Sequence, residues 1–291
     1  MQIVVISGKG GTGKTTLAAS FAYLGDTELI KVDCDVDASN LHLMFGGRNI
    51  ESLPFEGAKL ATVTESKCTS CGKCISFCRF NAIKILDNSI AIDPMKCEGC
   101  GACTQVCDEN AIKLEDEVTG NTIITDSDLG IISRAEMIPG AEGSGKLVTQ
   151  VRKNALSYSQ SDNTHFIIDG SPGVGCSVMA SITGCDYSVI VTEPTMSGFE
   201  DFKRVYALTK HFNLKSVVVI NKYDINEHVT AQLEAHCDEM SIQVAGRIPF
   251  DRTVDKSINS GIPIIAYDES EAGQAIIDIW NQFEQILEEK K

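Results

Sequence analysis

Short, uninterrupted apolar runs recur along the chain at helix-length intervals. Residues 2–7 (QIVVIS), 29–32, 165–168, 188–191 and 216–220 lack the polar alternation of a half-exposed strand. Parallel strands buried on both faces need runs of this kind. Between them, residues 13–23, 199–211 and 226–237 have helical length and composition. This alternation predicts an α/β domain with a doubly wound, mostly parallel sheet. A last helix over 271–289 sets Ile276, Ile279, Trp280, Phe283, Ile286 and Leu287 on one stripe. Its opposite face is mostly acidic, which predicts packing on the core rather than on a membrane. The glycine-rich stretch 139–145 reads as a loop feeding a helix that begins near Lys146.

Composition narrows the class. The 291 residues are 43% hydrophobic and 22% charged, an ordinary globular balance. No window approaches the roughly 18 apolar residues of a membrane span. The net charge of −15 disfavours nucleic acid and anionic lipid as general partners. The opening MQIVVISGKGG has no export-signal pattern, so a cytoplasmic setting is expected.

The first apolar run leads into Gly8-Lys9-Gly10-Gly11-Thr12-Gly13-Lys14-Thr15-Thr16, which opens a helix. Glycines there let successive N–H groups face phosphate oxygens, reinforced by the helix N-terminus. In such a loop Lys14 reaches the β- and γ-phosphates and the Thr15 hydroxyl ligates Mg²⁺. The alternative, a merely glycine-rich turn, leaves the Gly-Lys-Thr ending unexplained.

Cysteine is the second signal. Eight of the twelve fall between Cys68 and Cys107, in two runs of one spacing: Cys68-x₂-Cys71-x₂-Cys74-x₃-Cys78 and Cys97-x₂-Cys100-x₂-Cys103-x₃-Cys107. Matching flanks, Asn81-Ala-Ile83 and Asn110-Ala-Ile112, mark an internal duplication. Disulfides suit poorly a chain without an export signal. Zinc, which usually pairs two Cys-x₂-Cys units, leaves thiols over. In two-cluster bacterial ferredoxins the fourth cysteine of each run ligates the other run's cluster. That pattern gives Cys68, Cys71, Cys74 and Cys107 to one [4Fe–4S] cluster, and Cys97, Cys100, Cys103 and Cys78 to a second. The proline that usually follows the fourth cysteine is replaced by Arg79 and Asp108. The expected organisation is a P-loop domain over 1–58 and 117–291, interrupted by an α+β ferredoxin domain over 59–116.

The extra lysine, Lys9, gives the phosphate loop a family likeness. It resembles the deviant Walker A of the Mrp/MinD-type ATPases, which include the nitrogenase iron protein. In that family the early lysine acts across a dimer interface on the partner's nucleotide. Asp33-Cys-Asp35-Val-Asp37 and Asp169-Gly-Ser-Pro-Gly173 resemble its two switch segments. The likeness implies that Asp35 orients the attacking water, while Asp33 and Asp169 hold Mg²⁺ through its water shell. Any one of these aspartates alone reads equally well as a loop cap. Asn221-Lys-Tyr-Asp224 resembles the guanine-reading motif of GTPases, whereas residues 246–251 resemble the adenine-side loop of MinD-type ATPases. The likeness favours ATP, with Asn221, Pro249 and Phe250 at the base.

Taken whole, the chain resembles the MinD-superfamily ATPases with an inserted ferredoxin domain. What that implies is a nucleotide-dependent homodimer with ATP, Mg²⁺ and two [4Fe–4S] clusters. Three uses stay open: ATP-gated electron donation to a partner protein, assembly or carriage of metal clusters for a receiving protein, and a positioning switch with a redox sensor. Two complete four-cysteine sets favour stable redox centres. The acidic face of the terminal helix disfavours the positioning switch. Cys176 stands at the offset from Asp169 of a cluster ligand in the nitrogenase iron protein, but residues 141–145 offer no second cysteine. A small buried residue by the switch is expected there, and packing residues at Cys34, Cys185 and Cys237.

Overall fold

The computed structural model describes residues 1–25, 29–141, 143–159, 161 and 164–288, the last three by their main chain. The expected contributions of the Ile286 and Leu287 side chains, of Glu289, and of Glu142 in the 139–145 loop lie outside the described residues. The chain begins with β1 (Gln2–Ser7), α1 (Lys14–Leu24), β2 (Ile30–Asp33) and a long β3 (Arg48–Val63). It continues through α2 (Lys73–Phe77), β4 (Ile83–Leu86), β5 (Ser89–Ile92), α3 (Ala102–Gln105), a second long strand β6 (Ile112–Ser127) and β7 (Gly130–Met137). Then come α4 (Ser144–Ser157), β8 (Phe166–Pro172), α5 (Cys176–Ile182), β9 (Tyr187–Thr192), α6 (Met196–His211) and β10 (Lys215–Asn221). The last elements are α7 (Glu227–Glu239), β11 (Gln243–Ile248), α8 (Thr253–Ser260) and α9 (Glu271–Glu288).

Nine strands form one sheet in the order β11-β10-β9-β1-β8-β2-β7-β6-β3. From β11 to β7 each neighbouring pair is parallel. β6 and β7 are joined by only Asp128 and Leu129, a connection that an antiparallel pair allows and a parallel one does not. β3 lies at the edge, where Pro54 withholds no ladder hydrogen bond that a central strand would need.

The apolar runs are continuous because both faces are covered. Ile3, Val5, Ile167, Val189 and Val219 pack with Leu17 and Phe21 of α1 and with Ile276, Ile279, Trp280 and Phe283 of α9. Their chain neighbours Val4, Ile6, Ile168, Ile190 and Val218 point the other way and are equally buried. On that side α5 packs on β1 and β8, and α6 on β1, β9 and β10.

The chain divides into two compact units. The larger comprises residues 1–53, 122–137 and 144–291; the smaller comprises 54–121 and 138–143. The change of unit falls inside β3 and β6, so the expected boundaries at 58/59 and 116/117 lie within strands. In the smaller unit β4 and β5 form an antiparallel hairpin whose turn, Asp87-Asn88, has positive φ at both residues (47° and 61°). That is the twist a two-residue hairpin needs.

The duplication is visible in the backbone. Each position recurs 29 residues on, as Cys68 does at Cys97. Ser70 and Gly99 share φ near 56°, Gly72 and Gly101 share φ near 77°, and Asn81 and Asn110 have φ 53° and 49°. The halves also exchange equivalent hydrogen bonds at 2.7 Å: Thr64 N–H donates to the Ala111 carbonyl, and Asp93 N–H to the Ala82 carbonyl. The smaller unit is therefore a two-fold pseudo-symmetric pair.

The terminal helix is expected to be integral to the larger unit. Phe283 is fully buried, stacked on Phe21 at 6.3 Å and edge-on to Tyr187 at 5.9 Å. Phe283→Ala should cost about 3–5 kcal/mol in urea unfolding; a loss under about 1 kcal/mol would mean that α9 is not part of the core.

Candidate functional sites

The first site forms at the carboxyl ends of β1, β2 and β8, where open parallel sheets bind ligands. In the parallel register Asp33 of β2 is the direct partner of Asp169 of β8. The two carboxylates therefore start side by side. The loop after β1 brings Lys14 to them: Lys14 Nζ lies 2.7 Å from Asp169 Oδ1 and 3.7 Å from an Asp35 oxygen. Lys14 and Asp169 are 5% and 1% exposed in their side chains, so this is a buried ion pair.

One buried ammonium thus faces three carboxylates. Burial pulls the Lys14 pKa down, but the charge and hydrogen bond of Asp169, with Asp35 and Asp33 beyond, outweigh it and hold the pKa above its usual value. Burial raises the Asp33 carboxyl to about 7, and the charge of Asp169 adds to the rise. Hydrogen bonds from Leu41 N–H and Ser39, with the Lys14 charge, oppose it. Asp35 is also raised, first by burial, with Lys14 opposing and Asp169 and Asp37 reinforcing. The set carries more negative charge than its single cation neutralises, the imbalance a divalent ion relieves.

The expected residues divide by role. Asp33 faces its own loop: one oxygen accepts from Asp35 N–H at 3.1 Å, the other from Ser39 Oγ at 2.9 Å and Leu41 N–H at 3.0 Å. Asp169 Oδ2, by contrast, is buried without a hydrogen-bond partner, as is Thr12 Oγ1 in the phosphate loop. Unpartnered buried polar atoms are costly and mark a place for a ligand. Gly10 and Gly11 have open space above them, and so does Gly173 at the end of the second switch. Gly13 is left-handed (φ 88°) and caps α1, whose first turn carries Lys14, Thr15 and Thr16. Gly8 is a close-approach glycine, since a Cβ would sit 2.4 Å from the Asp201 Cβ.

Asn221, expected at the base, donates through Nδ2 to the Thr12 carbonyl at 2.8 Å while its Oδ1 accepts from Lys222 N–H. It braces the phosphate loop with one of its two amide hydrogens. Asp224 likewise accepts from Phe250 N–H at 2.7 Å, so it tethers the loop that carries Pro249 and Phe250. Phe250 itself is 51% exposed. One expectation changes at Cys176, expected to be buried: it opens α5 just past the Gly173 turn and is exposed. Cys34, Cys185 and Cys237 are buried packing residues, and burial pushes the thiols of Cys185 and Cys237 up to about 11.

Sequence reading missed Glu193. One of its oxygens pairs with Lys9 at 3.3 Å and the other with Lys222 at 2.6 Å. Lys222 Nζ also lies 3.4 Å from the Gly11 carbonyl. Only the Asn221-Lys222 motif hinted that this strand end meets the phosphate loop; no local pattern pointed to Glu193.

The second site lies within the smaller unit. Among the described residues, no group of three or more His, Cys, Asp or Glu forms a ready-made site for a single metal ion. The eight clustered cysteines, all free thiols, instead line two cavities. Cys97, Cys100, Cys103 and Cys78 line one of about 330 Å³, open mouth included. Cys68, Cys71, Cys74 and Cys107 line the other, of about 690 Å³ on the same measure. In each half the fourth cysteine's Sγ accepts a main-chain N–H: Ala82 to Cys78 at 3.4 Å and Ala111 to Cys107 at 3.3 Å.

The Asp33 carboxyl gives a pH signature. Folded, it holds its proton to about pH 7; unfolded, it releases it near 4. The extra folded-state proton contributes stability below that window, and the contribution is lost as pH rises through 7. Without nucleotide or Mg²⁺, unfolding free energy should fall between about pH 4 and 7, and Asp33→Asn should flatten that fall. An unchanged slope in the variant would assign the proton elsewhere.

Known proteins place this geometry. Residues 3–264 match the CobQ/CobB/MinD/ParA nucleotide binding domain. An uncharacterized protein of Methanocaldococcus jannaschii is 32% identical over 99% of this chain and 98% of its own length. An iron-sulfur cluster carrier protein of Pyrococcus furiosus is 24% identical over the whole chain and 88% of its own length. In fold, the chain is similar to the septum site-determining protein MinD of Pyrococcus horikoshii, solved with Mg-ADP, at TM-score 0.61, 19% identity, and coverage of 100% and 98%. With its phosphate loop and parallel sheet, the chain belongs to the CobQ/CobB/MinD/ParA nucleotide-binding family, as a P-loop ATPase of the MinD/ParA type.

Proposed function

We propose that this chain is an ATP-hydrolysing iron–sulfur protein, in which a nucleotide-driven dimer is coupled to electron transfer through two [4Fe–4S] groups to a partner protein. The observation that carries the reading is the pairing of cysteines: each cavity combines three thiols of one half with the fourth thiol of the other. Four soft thiols around one cavity are a donor set suited to iron–sulfur binding. When bound, such groups supply one-electron redox chemistry. The chain's part is to provide the thiols and the N–H groups that steady Cys78 and Cys107, and to enclose them among Ala61, Ile83, Ile90 and Ile112.

At the nucleotide site the chain binds ATP as substrate. Main-chain N–H groups of the 8–13 loop and Lys14 receive the phosphates, and Thr15 with Asp169 forms the Mg²⁺ side. Asp35, half-buried and close to Lys14, is placed to orient water. The unpartnered Asp169 Oδ2 and Thr12 Oγ1 support this use of the site. Lys9 serves the dimer: to reach a second copy it must leave Glu193, while Lys222 stays to satisfy that carboxylate.

A second reading, assembly or carriage of clusters, is favoured by the name of the Pyrococcus furiosus relative. Against it stand the two complete four-thiol sets, since a carrier of labile groups is better served by incomplete ligation. EPR-monitored redox titration of anaerobically purified protein, with and without Mg-ATP, separates the two. A tenfold preference of nucleotide for one redox state appears as about 59 mV in a one-electron potential. A shift of that size supports electron donation; unmoved potentials together with iron transfer to an apo-acceptor support carriage.

Single substitutions test the two halves. Lys14→Ala should abolish ATP turnover and leave iron content intact; normal turnover would mean that the nucleotide site is misassigned. Cys71→Ala should lower iron content and leave nucleotide binding in place, measured by iron assay and calorimetry; full iron retention would remove Cys71 from the ligands.

A further inference from the structure

The two thiol cavities are twins in backbone, so their differences can be read position by position. Shifting the lining of one by 29 residues gives the lining of the other: Cys68 to Cys97, Cys71 to Cys100, Cys74 to Cys103, Ala82 to Ala111 and Ile83 to Ile112. The twins diverge at few places. Lys73 in the Cys68 cavity corresponds to Ala102 in the other, and Glu109 corresponds to Phe80. Asp108, which also lines the Cys68 cavity, has Arg79 as its counterpart, and Arg79 does not line the twin.

Lys73 and Asp108 are ion-paired. Lys73 opens α2 in the first half, and Asp108 directly follows Cys107, the thiol contributed by the second half. The pair therefore holds one cation over the Cys68/Cys71/Cys74/Cys107 set. No Lys or Arg lines the twin, where Ala102 and the Phe80 ring stand at the positions of Lys73 and Glu109, and Glu98 stands at the position of Thr69. As an exposed pair it contributes little stability. Its effect is local: it sets the electrostatic surroundings of one set of thiols and not the other.

We propose that Lys73 is a tuning residue for the Cys68/Cys71/Cys74/Cys107 site alone, making that site more readily reduced than it would be without the ammonium. This rests on the iron–sulfur reading above. Reduction adds a negative charge, which a neighbouring ammonium stabilises and the carboxylates of Asp108 and Glu109 oppose. The ammonium acts on this set of thiols and not on its twin, so the two sites of the pseudo-two-fold unit are tuned by different side chains. Asp108 moderates the effect by sharing the Lys73 charge.

The test is an EPR redox titration of the full-length, anaerobically reconstituted chain and its variants, following the two centres separately. Lys73→Met should make one centre harder to reduce, changing its reduced-to-oxidised ratio at fixed potential threefold or more, and leave the other unmoved. Asp108→Asn should move the same centre the opposite way. The double variant Lys73→Ala, Ala102→Lys should move the two centres in opposite directions. Equal movement of both centres, or of neither, with full iron content would overturn the inference and leave the iron–sulfur reading standing. Wild-type protein that takes up no cluster on reconstitution would overturn both.

Discussion

The larger unit is organised around the buried contact between Lys14 and Asp169. Its geometry is set far from the loop that supplies the lysine, by the parallel pairing that puts Asp33 opposite Asp169. A one-residue slip between β2 and β8 would turn one of the two carboxylates to the other face of the sheet. The slip is resisted by a run of buried residues on both faces, so the core fixes the register and the register fixes the site. Breaking such a pair by removing one partner leaves an uncompensated buried charge, typically worth 3–5 kcal/mol. Stability and chemistry are therefore not separable at Lys14. A variant there must be read by a binding or turnover measurement alongside a folding one.

The same constraint explains the excess of negative charge. A chain that kept only the ion pair would need one carboxylate. Three are present, and two, Asp33 and Asp35, have pKa values pushed up by burial and by the charge of Asp169. The nucleotide-free site is thus under electrostatic strain that protonation partly relieves. Mg²⁺ with a polyphosphate would exchange that proton for a metal, and the unpartnered Asp169 oxygen faces that choice most directly. Ser171 donates to the Cys34 carbonyl, and Gly173 N–H to the Ser7 carbonyl. These bonds tie the segment after Asp169 to the ends of β2 and β1.

Much of this was legible in the sequence because its cause is local. Strands buried on both faces must be apolar throughout, and a phosphate loop must have its glycines and its lysine in order. The eight cysteines carried their own spacing. What was not legible depends on distant parts of the chain or on gradual change. β3 and β6 pass from one unit to the other without a break in composition, and Pro54 and Gly57 in β3 read as loop residues. A boundary drawn from cysteine density therefore fell inside both strands. β11 is absent from the apolar runs because Gly246 and Arg247 interrupt its pattern. Glu193 has no motif of its own; it matters because β9 ends beside β1, which only the strand order reveals. The bond from Asn221 to the Thr12 carbonyl likewise joins positions far apart in the chain.

Duplication followed by divergence gives the smaller unit a property that neither half has alone. Each half supplies three thiols to its own cavity and one to its twin's, so neither set is complete within one half of the repeat. The exchanged hydrogen bonds of Thr64 and Asp93 do in the main chain what the cysteines do in the side chains. A symmetric arrangement of this kind has no preferred direction for charge. The symmetry is broken at the cavity walls, at Lys73/Ala102, Thr69/Glu98 and Glu109/Phe80, while the thiols and backbone are kept. The conserved geometry of the duplicate and the unequal chemistry of its lining are thus complementary. The first makes two sites possible at one fold's cost, and the second lets them behave differently.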